Sequence, residues 1–193
     1  MIPTSVSLLD RLKVARSNDS DWNRFEALYA PLIRRWIRQI PGLGHEVDDV
    51  SQEVLVVLIR EIPRFDRRRE GSFRAWLRQV TANRVRVYRR QRHRQTGASA
   101  DQTDGFLDQM ADSNSLLARQ FDQDHDKHVC DTLLSTVRSD FNQATWDAFQ
   151  QFAVAGRPAA DVARELGLTV NAVVKAKSRV LDRLREEAAG LLD

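Results

Sequence analysis

Residues 157–180 read Arg157-Pro-Ala-Ala-Asp-Val-Ala-Arg-Glu-Leu-Gly-Leu-Thr-Val-Asn-Ala-Val-Val-Lys-Ala-Lys-Ser-Arg-Val180. Ala163 sits where two helices must cross closely. Gly167 follows four residues later, where a left-handed turn residue is needed, and Val173 comes six residues after that. Val162, Leu166 and Leu168 supply the apolar contacts between the helices. This is the spacing of a helix-turn-helix, whose short first helix positions a second one for the DNA major groove. An ordinary αα-hairpin uses the same turn glycine and the same apolar spacing. The second helix, however, carries Lys175, Lys177 and Arg179 beside the short polar side chains of Thr169, Asn171 and Ser178. Such a mixture suits phosphates and base edges. The stretch predicts binding to duplex DNA and leaves open what kind of protein uses it.

Upstream of it the charge is strongly segregated. The chain of 193 residues has a formal net charge of only +3. Yet residues 60–94 hold thirteen arginines against Glu61, Asp66 and Glu70, ten net positive charges. No lysine is among them. Arginine's planar fork suits phosphate recognition, and charges this concentrated attract a polyanion. Residues 95–126 reverse the sign, with seven aspartates against Arg119. With Gly97-Ala-Ser-Ala at its start and little apolar content, this segment predicts a flexible acidic linker with room for one or two helical turns.

The remaining pattern is helical throughout. Leu8, Leu9, Leu12 and Ala15 mark a short amphipathic helix over residues 5–16, capped by Ser5 or Ser7. From Trp22 to Ile40 apolar residues recur at three- and four-residue spacing, interrupted by Pro31, so a kink or break is expected near Ala30. A helix over residues 45–62 buries Val47, Val50, Val54, Val57 and Leu58. Its other faces place Asp49, Gln52 and Glu53 beside Val56, and Val56 and Ile59 widen the apolar arc beyond the needs of one core, as a partner surface would. A helix over 72–92 turns Phe73, Trp76, Leu77, Val80, Val87 and Tyr88 to one side and Arg74, Arg78, Arg86 and Arg89 to the other. Arg84 falls on the apolar side, which calls for a pairing partner. Helices over 122–136 and 145–155 complete the set, the second with Trp146, Phe149, Phe152 and Ala153 on its apolar face.

This pattern gives an all-α fold class: two small helical domains, residues 1–94 and 128–193, joined by the flexible linker 95–127. No run of eighteen apolar residues suggests a membrane span, and Met1-Ile-Pro-Thr-Ser lacks the features of a secretory signal. With Cys130 the sole cysteine, no internal disulfide can form, which suits a reducing cytoplasm. His125, His128 and Cys130, with Asp122, Asp124 and Asp126, invite a metal reading. Cys130 lies on another face from His128, and no second cluster completes four ligands, so no metal and no cofactor is expected. There is no phosphate-binding glycine loop, nucleophile elbow or HExxH motif. The residues argue for binding rather than catalysis, and no enzyme is expected.

The order of features is specific. Asp48-Asp-Val-Ser-Gln-Glu-Val54 is followed by Phe73-Arg-Ala-Trp-Leu-Arg-Gln-Val-Thr-Ala-Asn83, a basic tail, a linker and a helix-turn-helix. It resembles that of the extracytoplasmic-function sigma factors of bacterial RNA polymerase over nearly the whole chain. The resemblance implies that the N-terminal domain is region 2 and the C-terminal domain region 4. It implies that Asp49, Gln52 and Glu53, with Val56 beside them, dock on the coiled-coil clamp of the largest subunit of core polymerase. Asn83 matches the asparagine near a flipped base of the minus-ten element, with Phe65, Arg86 and Arg90 close enough in sequence to hold the opened strand. Thr169, Asn171, Lys175 and Arg179 occupy positions facing the minus-thirty-five element of promoter DNA. An anti-sigma or other regulatory protein is expected from the family. The chain departs from the family's pattern at Val174 and Lys175, where a basic residue and a serine are common, and at Asn171-Ala172, where a glycine-threonine pair is. A helix-turn-helix regulator that never touches polymerase is the alternative. It would leave the arginine block and the Asp49-Gln52-Glu53 face unexplained.

Overall fold

The computed structural model describes residues 8–13, 19–66, 72–96 and 103–188, and among these residues there is no strand. Nine α-helices follow in order: α1 Leu8–Lys13, α2 Asp19–Gln39, α3 Val47–Glu61, α4 Phe73–Thr96, α5 Thr103–Ala111, α6 Leu116–Val137, α7 Gln143–Phe149, α8 Ala159–Leu166 and α9 Val170–Ala188. Packing divides the described chain into residues 8–129 and residues 130–188.

In the first unit α2 is the central element. It buries Phe25, Leu28, Tyr29, Leu32, Ile33, Trp36 and Ile37, one continuous stripe at helical spacing. Each such side chain contributes roughly 1.5–3 kcal/mol when fully buried. Pro31 lies inside α2 and produces no break, in contrast to the expectation at Ala30. One missing backbone donor on an exposed face is outweighed by this stripe. Helix α3 packs on α2 through Val47, Val50, Val54 and Leu58, and α4 closes the bundle. Phe25, Tyr29, Phe65, Phe73 and Trp76 form a continuous aromatic cluster with centroids 4.7–6.4 Å apart. Helix α1 buries Leu8, Leu9 and Leu12 as anticipated. Ser5, Ser7 and Ala15 lie outside the described residues, as do Arg67, Arg68, Arg69 and the Gly97-Ala-Ser-Ala stretch.

The acidic segment differs most from expectation. Residues 103–127, predicted within a flexible linker, are helical apart from one short turn and belong to the first unit. Leu107, Met110, Ala118 and Phe121 are fully buried or nearly so, and Ser115 caps α6 by accepting from the Ala118 amide at 2.9 Å. Sparse apolar residues at the right spacing suffice because the aspartates meet arginines. Asp124 takes Arg35 at 2.7 Å and the Trp36 indole N–H at 3.1 Å, and Asp126 takes Arg74 at 2.8 Å. Arg78, predicted on the solvent side of α4, is completely buried: it donates to Asp122 at 2.7 Å and to the Met110 carbonyl at 2.5 Å.

In the second unit Ala148, Val162, Ala163, Val173 and Ala176 form the core, with Phe152, Ala159, Leu166 and Leu168 packed around it. Asn142 caps α7 by accepting from the Thr145 amide at 2.8 Å. The expected helix over 145–155 is α7 followed by a single π-helical turn, Gln150–Val154. Gly167 ends α8 at φ +64°, and the following Leu168 amide closes on the Ala163 carbonyl at 2.9 Å. A left-handed residue at this position is what lets α8 and α9 cross within a three-residue turn.

Candidate functional site

Helix α3 presents Asp49 and Gln52 to solvent and holds Glu53 half-buried. Arg84 of α4, which the sequence left on an apolar face in need of a partner, donates to one Glu53 carboxylate oxygen through Nε at 2.8 Å and Nη2 at 2.6 Å. That fork fixes the acid in one orientation, at a cost in side-chain freedom already met in the free protein. Asp49, Gln52, Glu53, Val56, Arg84 and Tyr88 line one cleft of about 580 Å³. Burial, then the carboxylates of Asp49 and Glu53, raises the Tyr88 phenol above its ordinary value, so it remains a neutral donor there. Val56, 46 % exposed, gives the cleft apolar surface, and Ile59 is as exposed on the same helix. All four residues predicted for this surface therefore lie together. Tyr88, read from the sequence as an apolar-side residue, joins them because it lies one helical turn beyond Arg84.

The second surface lies on α4. Asn83 is exposed, and its side-chain oxygen accepts from Arg86 Nη1 at 2.9 Å. Arg86 reaches Asp108 of α5 at 2.6 Å through its other terminal nitrogen, and Arg90 turns its Nε toward the Arg86 carbonyl at 3.4 Å. Asn83, Arg86 and Arg90 thus share a face, as the spacing implies. Phe65 does not join them. It is buried against Phe73 and Trp76, with centroids 5.5 and 4.9 Å away and Lys13 above its ring, so its place beside an opened strand is corrected to a packing role. Among the described residues, Arg90 and Arg94 carry no carboxylate partner.

The third surface is the outer side of α9. Asn171, Lys175 and Arg179 are exposed. Lys175 and Arg179 have no carboxylate partner among the described residues and line a cleft of about 260 Å³ with Asn142 and Thr145. Thr169 is exposed, but its hydroxyl accepts from the Ala172 amide at 3.1 Å and so starts the helix. Lys177, counted with the other cations in the sequence, sits 5.3 Å from the Phe152 ring centroid, a cation–π contact inside the unit.

The cluster that suggested a metal is otherwise engaged. His128 Nε2 donates to the Leu28 carbonyl at 2.7 Å. His125 is buried and stacked on Tyr29, with Nδ1 2.9 Å from Asp126 and Nε2 3.4 Å from the Tyr29 hydroxyl. Burial lowers its pKa, opposed by Asp126 and reinforced by Arg74, so the ring is neutral, donating to Asp126 and accepting from Tyr29. Among the described residues no group of His, Cys, Asp and Glu is arranged to hold a metal, and no helix is long and apolar enough to cross a membrane.

Comparison with known proteins bears on the first unit directly. Residues 27–95 match the family model for sigma-70 region 2, the segment that contains α3, α4 and most of α2. No curated protein matches the chain. A solved structure of CnrH in complex with the cytosolic domain of CnrY is similar at 20 % sequence identity, with 92 % of each chain covered and a TM-score of 0.36. The matched segment spans both the α3 cleft and the Asn83 face, and there the chain is similar to region 2 of the sigma-70 factors.

Proposed function

We propose that the protein is an extracytoplasmic-function sigma factor in which three surfaces divide the labour. The α3 cleft, through Asp49, Gln52, Glu53 and Val56, docks on the coiled-coil clamp of core polymerase. A mixed polar and apolar strip with one pre-oriented carboxylate suits a protein interface. Asn83, Arg86 and Arg90 hold the opened minus-ten strand. An exposed amide satisfies a flipped base edge while guanidinium groups meet the backbone. Helix α9 reads the minus-thirty-five element as duplex through Asn171, Lys175 and Arg179, with Thr169 capping its first turn. The protein performs no chemistry, works in the cytoplasm, and lends binding energy to the choice of start site. A regulatory protein of the anti-sigma kind masks these surfaces until a signal releases them. The reading rests above all on the four α3 residues meeting in one cleft inside the matched region. Run-off transcription with purified core polymerase tests it. Wild type should support initiation from a cognate promoter, and Asp49→Arg with Glu53→Arg should abolish core association. Unimpaired association of that double variant would remove the α3 assignment.

A further inference from the structure

Among the described residues few large apolar side chains are exposed, and two of them, Val170 at 48 % and Val174 at 44 %, lie one turn apart at the start of α9. Neither suits its position on propensity grounds, since β-branched residues lose rotamer freedom in a helix and exposed ones gain no packing in return. They adjoin the line of Asn171 and Lys175 on the outer face, flanking it on the side opposite Arg179. The short polar groups nearby are committed to the backbone: Thr169 accepts from the Ala172 amide, and the Ser178 hydroxyl donates to the Val174 carbonyl at 3.4 Å. The outer face therefore offers a groove one amide, two cations and a small apolar ridge.

We infer that Val170 and Val174 read thymine in the upstream element by packing on its 5-methyl group. This rests on the assignment of α9 as the helix that enters the major groove. There the thymine methyl is the apolar mark among an otherwise polar set of base edges. DNA suits this ridge better than a protein partner does. Two valines cover far less than the ~1,000 Å² a specific protein interface needs. On the same outer face lie Lys175 and, beyond it, Arg179, cations without carboxylate partners among the described residues, which complement a polyanion. The position also explains how a chain with valine at 174 can discriminate bases there: it replaces hydrogen-bond readout by contact with a methyl group.

The full-length chain assembled with core polymerase, presented with a randomised duplex pool, selects its own upstream element. Each thymine of that element is then replaced singly by deoxyuridine, which removes the methyl and leaves the hydrogen-bonding edge intact. The expected result is one or two positions at which the uridine duplex binds about fourfold more weakly, the ratio that burying one methyl carries. Val170→Ala or Val174→Ala should bring the thymine-to-uridine ratio at its own position close to one while leaving affinity for the uridine duplex unchanged. Both are exposed helical sites where alanine is well tolerated, and the uridine comparison on wild type needs no variant. Equal affinity for thymine and uridine at every position, or a ratio unchanged in both valine variants, overturns the inference while leaving α9 as a DNA-reading helix. Failure to select any duplex sequence overturns the α9 assignment itself, and the inference with it.

Discussion

Arg78 of α4 and Asp122 of α6 are joined by two hydrogen bonds, Nε to Oδ1 at 2.7 Å and Nη2 to Oδ2 at 3.4 Å, across forty-four residues of sequence. The guanidinium has no exposed surface, and it also holds the Met110 carbonyl and reaches the Ser113 hydroxyl. It is the point at which α4, α5 and α6 are tied together. Breaking a buried pair by removing one partner strands the other charge. Asp122→Ala should therefore destabilise the first unit by about 3 kcal/mol. Replacing both residues, Arg78→Met with Asp122→Leu, should restore most of that loss. Urea denaturation followed by tryptophan fluorescence provides the comparison. A loss in Asp122→Ala below the level of an exposed ion pair would show that the pair holds nothing.

His125 gives the first unit a pH dependence. Its folded pKa is lowered, chiefly by burial, so the unfolded chain binds the extra proton first. Stability is thus full above the unfolded histidine value of about 6.5 and falls as the pH drops below it. The thermal midpoint should decline between pH 7.5 and 5.5 in wild type and less steeply in His125→Gln. Equal slopes in the two proteins would assign the effect elsewhere.

Asp108 and Arg86 form an exposed pair beside Asn83, 2.6 Å apart. If Arg86 holds the opened strand, the strand must take the place of Asp108. Surface pairs are worth about 0–1 kcal/mol, so Asp108→Asn should raise affinity for a single-stranded minus-ten oligonucleotide by at most about fivefold. Arg86→Ala should lower it, and the two changes combined should resemble Arg86→Ala alone. Additive effects in fluorescence anisotropy would place Asp108 and the strand on separate sites.

Asn83→Ala should weaken initiation from a duplex promoter more than it weakens association with core polymerase. Parallel run-off and pull-down assays separate the two, and equal losses would argue against a strand contact.

At Gly167 the backbone is left-handed, and a Cβ would meet nothing within 4 Å. Gly167→Ala should therefore cost about 1–2 kcal/mol from backbone strain alone, read as a lower unfolding midpoint of the second unit. A much larger loss would point to a packing clash that the structure does not contain.

Local signals carried much of this architecture. Gly167, the Val162–Ala163 contact and Val173 could be read because a helix-turn-helix is specified by residues close in sequence. Arg84 could be flagged because a charge on an apolar face demands a partner, and Glu53 supplies it. What was not legible depends on distant pairing. Asp122, Asp124 and Asp126 look like a solvated run until Arg78, Arg35 and Arg74 are brought against them. Phe65 looked available to a nucleic acid because periodicity does not reveal which side of a turn an aromatic ring will take. Pro31 signalled a break that the buried face of α2 overrides.

The pairing of acids with arginines also bears on how many ions would be displaced in the proposed binding to promoter DNA. Among the described residues, the arginines at positions 74, 78, 84, 86 and 92 already face carboxylates of the same chain. Such residues act as struts of the bundle more than as counterions for phosphate. The slope of log affinity against log salt scales with the phosphates neutralised. It should therefore be shallower than the bare tally of arginines implies, leaving a larger share of promoter choice to base contacts that salt does not screen.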